Sequence, residues 1–246
     1  MTIKAALKRI RCWKKKKNPR KWLNLSYLNL TELPPLPSNV RRLNCSGNMI
    51  TDFTNTKIPK GIKKLRCWRN ELQTLKGLPN SLLSIECHYN YDLVSIDDIP
   101  DSVEYIDTTG CYSIETIDKL PRNLKVFIFW KTKKLKQISM FPHKLEYISI
   151  GETRLDKLPD LPKSLKSLTL CFSKVTKIPI LYEGLEDLYL FSNYINYLPP
   201  LPNSLINLDI SGNYDLELPI TLPPNIEFYR CNDLNLCIND DDENWC

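Results

Sequence analysis

The chain has 246 residues, 42% hydrophobic and 25% charged, which is ordinary for a soluble protein. Apolar runs such as Val126 to Trp130 are far too short to span a membrane, and no apolar secretory core follows the basic N-terminus, so an intracellular, cytoplasmic protein is expected. The net charge of +6 hides a polar distribution: residues 1–69 carry 18 Lys/Arg against Glu32 and Asp52, and residues 70–246 carry 16 against 26 acids. The first third should attract anions and the remainder should not.

Residues 1–17 read as a basic helix. Ile3, Leu7, Ile10 and Trp13 recur at helical spacing with Lys and Arg between them. Such a stripe suits a cap over the open end of a stacked array, while Lys14 to Lys17 stay in solvent. The same basic segment suits an address or an anion-binding arm, for nucleic acid or an anionic membrane surface.

From Asn18 the chain repeats itself. The lines KSLKSLTLCFSKVTKIPILY (163–182) and EGLEDLYLFSNYINYLPPLP (183–202) match at Leu165/Leu185, Leu168/Leu188, Leu170/Leu190, Val175/Ile195 and Ile178/Leu198. Pro37, Pro59, Pro79, Pro100, Pro121, Pro142, Pro162, Pro202 and Pro223, with Tyr182 as the exception, mark boundaries 20 to 22 residues apart. A fixed period of this length signals a solenoid. The expected organisation is a cap at 1–17, about eleven repeats over 18–238 and an acidic tail at 239–246.

Numbering each repeat from the aliphatic three residues after its boundary, as in Leu165, the stretch Leu168-Thr169-Leu170 reads as a short strand buried on one face. Stacked copies form a parallel sheet of eleven rungs, spanning on the order of 50 Å at about 4.8 Å per strand. Twenty residues leave too few for a returning helix, and fixed prolines favour an extended, polyproline-like convex side. The ninth position reads Asn48, Asn70, Asn90, Cys111, Thr132, Thr153, Ser173, Asn193 and Asn213, a ladder of small polar groups able to bond the turning backbone.

These residues resemble the leucine-rich repeat, L-x-x-L-x-L-x-x-N-x-L. The Leu-Pro-x-Leu-Pro turns at Leu158 to Pro162 and Leu198 to Pro202 resemble the short LPX-type subclass of bacterial effector proteins, some of which are ubiquitin ligases. The middle repeats keep a single Leu-Pro or Ile-Pro, and the short tail leaves no room for a ligase domain. The resemblance implies a protein-binding solenoid and, for an effector or viral protein, residence in a host cell.

The nine cysteines read as packing groups. Cys45, Cys67, Cys87 and Cys231 share an inward position, Cys111 sits on the ladder, and no C-x-x-C pair suggests zinc. Cys237 and Cys246 could bridge only in an oxidising space. His88 is expected on the concave surface and His143 in a turn, and the Asp97-Asp98 and Asp240 to Glu243 runs lack metal-site spacing. No phosphate loop, nucleophile elbow or convergent acid–base set appears, so no catalytic residue, cofactor or metal is expected.

What remains is surface. Positions three, five, seven and eight should face out along the concave sheet. The candidate partner-binding residues there are Arg42, Lys64, Arg66, Trp68 and Arg69 at a basic-aromatic end, then Tyr89, Tyr105, Trp130, Tyr147, Tyr189 and Phe191. Tyr, Trp and Arg are the residues most enriched in binding hot spots. The function expected is a non-catalytic module that binds another protein on its concave face. The alternative is nucleic-acid or anionic-membrane binding through the basic third. Four repeats carry one extra residue after the ladder, at Tyr91, Tyr112, Lys133 and Tyr214, on an edge that can be an interaction edge or merely a tolerant loop.

Overall fold

The computed structural model describes residues 2–56, 58–217 and 220–232. The acidic tail, the last residues of the repeat region and the Cys237 and Cys246 pair lie outside them. One helix, α1 (Thr2–Lys15), precedes thirteen short strands: β1 (Leu23–Asn24), β2 (Arg42–Asn44), β3 (Lys64–Arg66), β4 (Ser84–Glu86), β5 (Tyr105–Asp107), β6 (Thr116–Ile117), β7 (Val126–Trp130), β8 (Gln137–Ile138), β9 (Tyr147–Gly151), β10 (Ser167–Cys171), β11 (Asp187–Tyr189), β12 (Asn207–Asp209) and β13 (Phe228–Arg230).

Eleven of these strands form one parallel sheet, in the order β1-β2-β3-β4-β5-β7-β9-β10-β11-β12-β13. The register stacks like on like. Leu168 pairs with Ile148 on one side and Leu188 on the other, and Leu43 pairs with Leu23 and Leu65. Each rung therefore sends its fourth and sixth side chains into one continuous core. Leu168, Leu170, Leu188 and Leu190 are fully buried there, as are Phe127 and Phe129. The return segments on the other side carry no helix among the described residues. Two of them pair as a small second sheet, β6 with β8, which the proline pattern did not announce.

A turn of fixed conformation ends each strand. The eighth residue of all ten repeats with a described turn is left-handed, with φ between 51° and 72°: Tyr27, Gly47, Arg69, Tyr89, Gly110, Lys131, Glu152, Phe172, Ser192 and Gly212. Seven of the ten are not glycine, and each L-residue there costs about 1–2 kcal/mol. Where the residue that follows is an asparagine, its side chain helps to offset this cost. Asn48 accepts from the N–H of Leu28 (2.9 Å) and Leu30 (3.0 Å), and donates to the carbonyls of Leu25 (3.0 Å) and Cys45 (2.8 Å). Asn70, Asn90, Asn193 and Asn213 repeat this pattern with one N–H rather than two. In mid-array the bonds thin out: Cys111 Sγ reaches Cys87 O at 3.4 Å, and Thr132 Oγ1 reaches Trp130 O at 3.3 Å.

The cap forms, with a shifted stripe. Ala6, Ile10 and Trp13 are buried, whereas Ile3 is 44% exposed and Leu7 is half-buried. The register is set by two bonds to the first rung: Trp13 Nε1 donates to Lys21 O (2.9 Å) and Arg9 donates to Ser26 O (2.8 Å). These turn the helix so that the small Ala6, not Leu7, meets the sheet.

The described cysteines are free thiols, and all but one lie within the core. Cys45, Cys67, Cys87, Cys111, Cys171 and Cys231 are buried and Cys12 is exposed. Burial pushes the Cys45 and Cys111 thiols up to about 12 and raises Cys67 and Cys87 as well, so all four stay protonated and unreactive at neutral pH.

Candidate interaction surface

Rungs one to four bring most of the basic-aromatic candidates together. Arg66 lies at the centre, on β3. Its Nε is 3.0 Å from Glu86 Oε1 on β4, and its guanidinium sits 4.5 Å from the Trp22 ring, two rungs away. Trp68 stacks on His88 (5.4 Å between centroids, 8° between planes) and meets the edge of Tyr27 at 5.8 Å. Arg69 stays exposed beside both rings that flank it, 5.8 Å from Trp68 and 5.5 Å from Tyr89. Arg42 and Lys64 are partners across β2 and β3.

The rings continue round the edge of the sheet. His88 meets Tyr89, Tyr89 meets Tyr91, and Tyr91 stacks on Tyr112 at 5.1 Å. Tyr27, Trp68, His88, Tyr89, Tyr91 and Tyr112 thus form one unbroken aromatic row. Tyr91 and Tyr112 are two of the extra residues noted after the ladder, so that pattern pointed at this edge. His88, expected as a lone surface residue, is half-buried within the row. Its Nδ1 stands 3.4 Å from Asp107 Oδ2, an ion-pair distance without hydrogen-bond alignment. Burial alone would raise the Asp107 carboxyl, but the adjacent His88 and the hydrogen bond from the Thr109 N–H (3.0 Å) outweigh it and leave the group below the usual carboxylate range.

The other candidates are spread along the sheet. Tyr105 on β5 is half-buried, and burial, then Asp107 and Glu86, push its hydroxyl up. Trp130 on β7 is half-buried, with its Nε1 donating to Ser149 Oγ at 2.7 Å. Tyr147 on β9 is 44% exposed. Near the other end, Tyr189 stands between Thr169 and Asp209 in register, and Phe191 meets the exposed Phe172 edge-on at 5.2 Å. The structure therefore yields one contiguous cluster and separate aromatic patches.

Not every outward position faces out. At position seven, Ser46, Gly151 and Cys171 are buried, and Asp209 at position five is only 6% exposed, bonded by the N–H of Ser211 (2.9 Å). At Gly151 the cause is a neighbouring ring, and two glycines at position eight are covered in the same way. A Cβ added to Gly47 would stand 2.4 Å from the Tyr27 ring, one on Gly110 2.6 Å from Tyr89, and one on Gly151 2.5 Å from Trp130. Each aromatic lies over a glycine of the next rung.

Two open depressions lie away from the sheet, one lined by Asp97, Asp98, Asp101 and Lys119, the other by Tyr197, Pro200, Glu217 and Ile220. Neither places a histidine or cysteine beside a carboxylate. Among the described residues, no group of three His, Cys, Asp or Glu side chains stands where it could hold a metal ion, and no helix is long and apolar enough to cross a membrane.

Parallel rungs of 20 to 22 residues, a polar ladder at each turn and an N-terminal cap define a leucine-rich-repeat solenoid. No protein-family model matches the chain, and no curated protein does. Solved structures share the fold. A chain of the TLR13–ssRNA13 complex matches with a TM-score of 0.56 and 19% identity, over 79% of this chain and 36% of that one. A chain of the octameric complex of Latrophilin 3, Unc5D and FLRT2 matches with a TM-score of 0.51 and 16% identity, over 83% of this chain and 78% of that one. YopM from Yersinia enterocolitica WA-314 is 21% identical over 93% of this chain and 72% of its own, with a TM-score of 0.41. At these identities the likeness is one of fold.

Proposed function

We propose that the protein is a non-catalytic binding module whose concave face receives another protein. The observation that carries this reading is the line of large aromatics left partly open on that face, from the Trp68 cluster through Tyr105, Trp130 and Tyr147 to Tyr189 and Phe191. Aromatic anchors flanked by charge, on a rigid sheet, are the composition of a binding hot spot. The basic end, with Arg42, Lys64, Arg66 and Arg69, favours an acidic edge on the partner, which steers association. The Leu-Pro-x-Leu-Pro turns support an LPX-type, effector-like solenoid. The buried protonated thiols suit a reducing intracellular compartment, the cytoplasm of the cell or of a host.

The test is affinity capture from nuclease-treated extract, comparing wild type with a Tyr105→Ala, Tyr147→Ala, Tyr189→Ala variant. A protein retained by wild type and lost by the variant, with the thermal midpoint kept, is the expected result. Equal retention by both forms would move the site off the concave face. Ubiquitin-ligase activity of the isolated chain would contradict the non-catalytic reading.

A further inference from the structure

We infer that the N-terminal end of the solenoid is a track for a single strand of nucleic acid, running from the outer face of α1 across the first three rungs. This goes beyond the protein-binding reading: it shares the basic-aromatic end with that reading but rests on the charge balance of the first third and on Tyr27, and it does not involve Tyr105, Tyr147 or Tyr189.

The first is charge without counter-charge. Among the described residues, Arg66 is the only Lys or Arg of residues 1–69 in an ion pair; the other six pairs all lie from His88 onward. The cations are also stacked on one another. Arg42 and Lys64 face each other in register, with Arg41 and Lys63 one residue before them in the same two rungs. Like charges directly opposite on a sheet destabilise it. A ligand with closely spaced anions would relieve that repulsion.

The second is shape, which separates the anions that could serve. The apolar stripe of α1 is spent on the first rung, since Ala6, Ile10 and Trp13 are buried, so the helix has little to insert into a bilayer. Arg42, Lys64 and Arg66 lie on the concave sheet, which a flat membrane cannot reach but a thin polymer can enter. The third observation is the flat groups beside the cations. Tyr27 is 59% exposed, with its ring over Gly47, and Arg69 stands exposed between Trp68 and Tyr89. An acidic peptide supplies anions at this spacing but no flat group beside each one. A nucleic-acid strand brings both an anion and a flat base at every residue, and bases stack on aromatic side chains with little regard to sequence. In a duplex the bases are already stacked on each other, so the single strand fits.

The experiment is fluorescence anisotropy with labelled oligothymidylate and oligouridylate of about 15 nucleotides. With four to six phosphate contacts, log K should fall by about 3 to 4 per tenfold rise in salt. Lys63→Glu with Lys64→Glu should weaken binding about tenfold or more and flatten that slope by about 1.4, at about 0.7 per phosphate contact. Tyr27→Ala should weaken it about fivefold or more with the slope unchanged, the mark of a lost stacking contact. Tryptophan emission should be quenched by the strand and not by polyglutamate. Thermal midpoints should not fall below the wild-type value, and Tyr27→Leu, which keeps bulk without the ring, should reproduce the loss. No binding at low salt overturns the inference. So does polyglutamate, an anionic phosphatidylserine vesicle or a duplex of equal length binding as tightly as the strand, or a Tyr27→Ala protein that binds as wild type.

Discussion

Gly151→Ala tests the way the concave face is built. An added Cβ would stand 2.5 Å from Cε3 and Cζ3 of Trp130 and 2.9 Å from Cδ2. Carbon atoms rest at about 3.5–4.0 Å, so the overlap is about 1 Å. Gly151 is not among the residues with a left-handed backbone, so the cost is steric. The indole cannot step aside freely because its Nε1 is held by Ser149 Oγ at 2.7 Å. Losing that bond costs about 1 kcal/mol, and overpacking alone costs about 1–3 kcal/mol. A destabilisation of about 2 kcal/mol follows. In urea, at a slope of about 3 kcal/mol/M, the midpoint should fall by about 0.7 M. The same substitution on a Trp130→Ala background should cost less than about 0.5 kcal/mol, giving a coupling above about 1 kcal/mol. Equal cost in both backgrounds would show that Trp130 does not rest on Gly151, and the account of the aromatic–glycine pairs would fail.

Three further outcomes are expected. Asn48→Ala removes five bonds from a buried turn and should cost about 3 kcal/mol, while Thr132→Ala, losing one bond of 3.3 Å, should cost under about 1 kcal/mol; equal thermal shifts would contradict the ladder. Trp13→Ala should cost about 3–5 kcal/mol and should speed hydrogen exchange in β1 and β2 before β9 to β11; uniform loss of protection would speak against an end cap. Burial holds the proton on Cys45 and Cys111 to about pH 12, against an ordinary value of 9.0. The unfolded thiols ionise first, so these groups favour the fold below pH 9 and that contribution is lost as pH rises from about 9 to 12. A urea midpoint that holds constant across that window would refute this. At pH 8, alkylation of the native protein should mark Cys12 and spare both.

The period made the architecture legible. Apolar residues at the first, fourth and sixth positions place a strand and its buried face unambiguously, and Asn48 to Asn213 name the turn. The left-handed eighth position was not legible, because Arg69, Lys131, Glu152 and Phe172 are residues that seldom adopt it. What holds it is a bond between rungs: each of these N–H groups donates to the seventh carbonyl of the next repeat, as Arg69 does to His88 (2.9 Å), Lys131 to Gly151 (3.0 Å) and Glu152 to Cys171 (3.1 Å). The concave residues were legible as outward positions, but not their contacts. Trp68 on His88 and Arg66 over Trp22 are meetings between rungs, set by side-chain rotamers that no periodicity encodes. The shift of the cap from Leu7 to Ala6 likewise depends on where Trp13 and Arg9 find backbone carbonyls.

The pairing of three large rings with a glycine one rung on gives these junctions an address system. Tyr27 needs Gly47, Tyr89 needs Gly110, and Trp130 needs Gly151. Deleting the rung that holds Gly47 would set Tyr27 against Arg69, and deleting the one that holds Gly110 would set Tyr89 against Lys131. Although every unit shares one backbone plan, the units cannot be shuffled, excised or duplicated at will. At these three junctions the order of the repeats is written in the rings and glycines themselves.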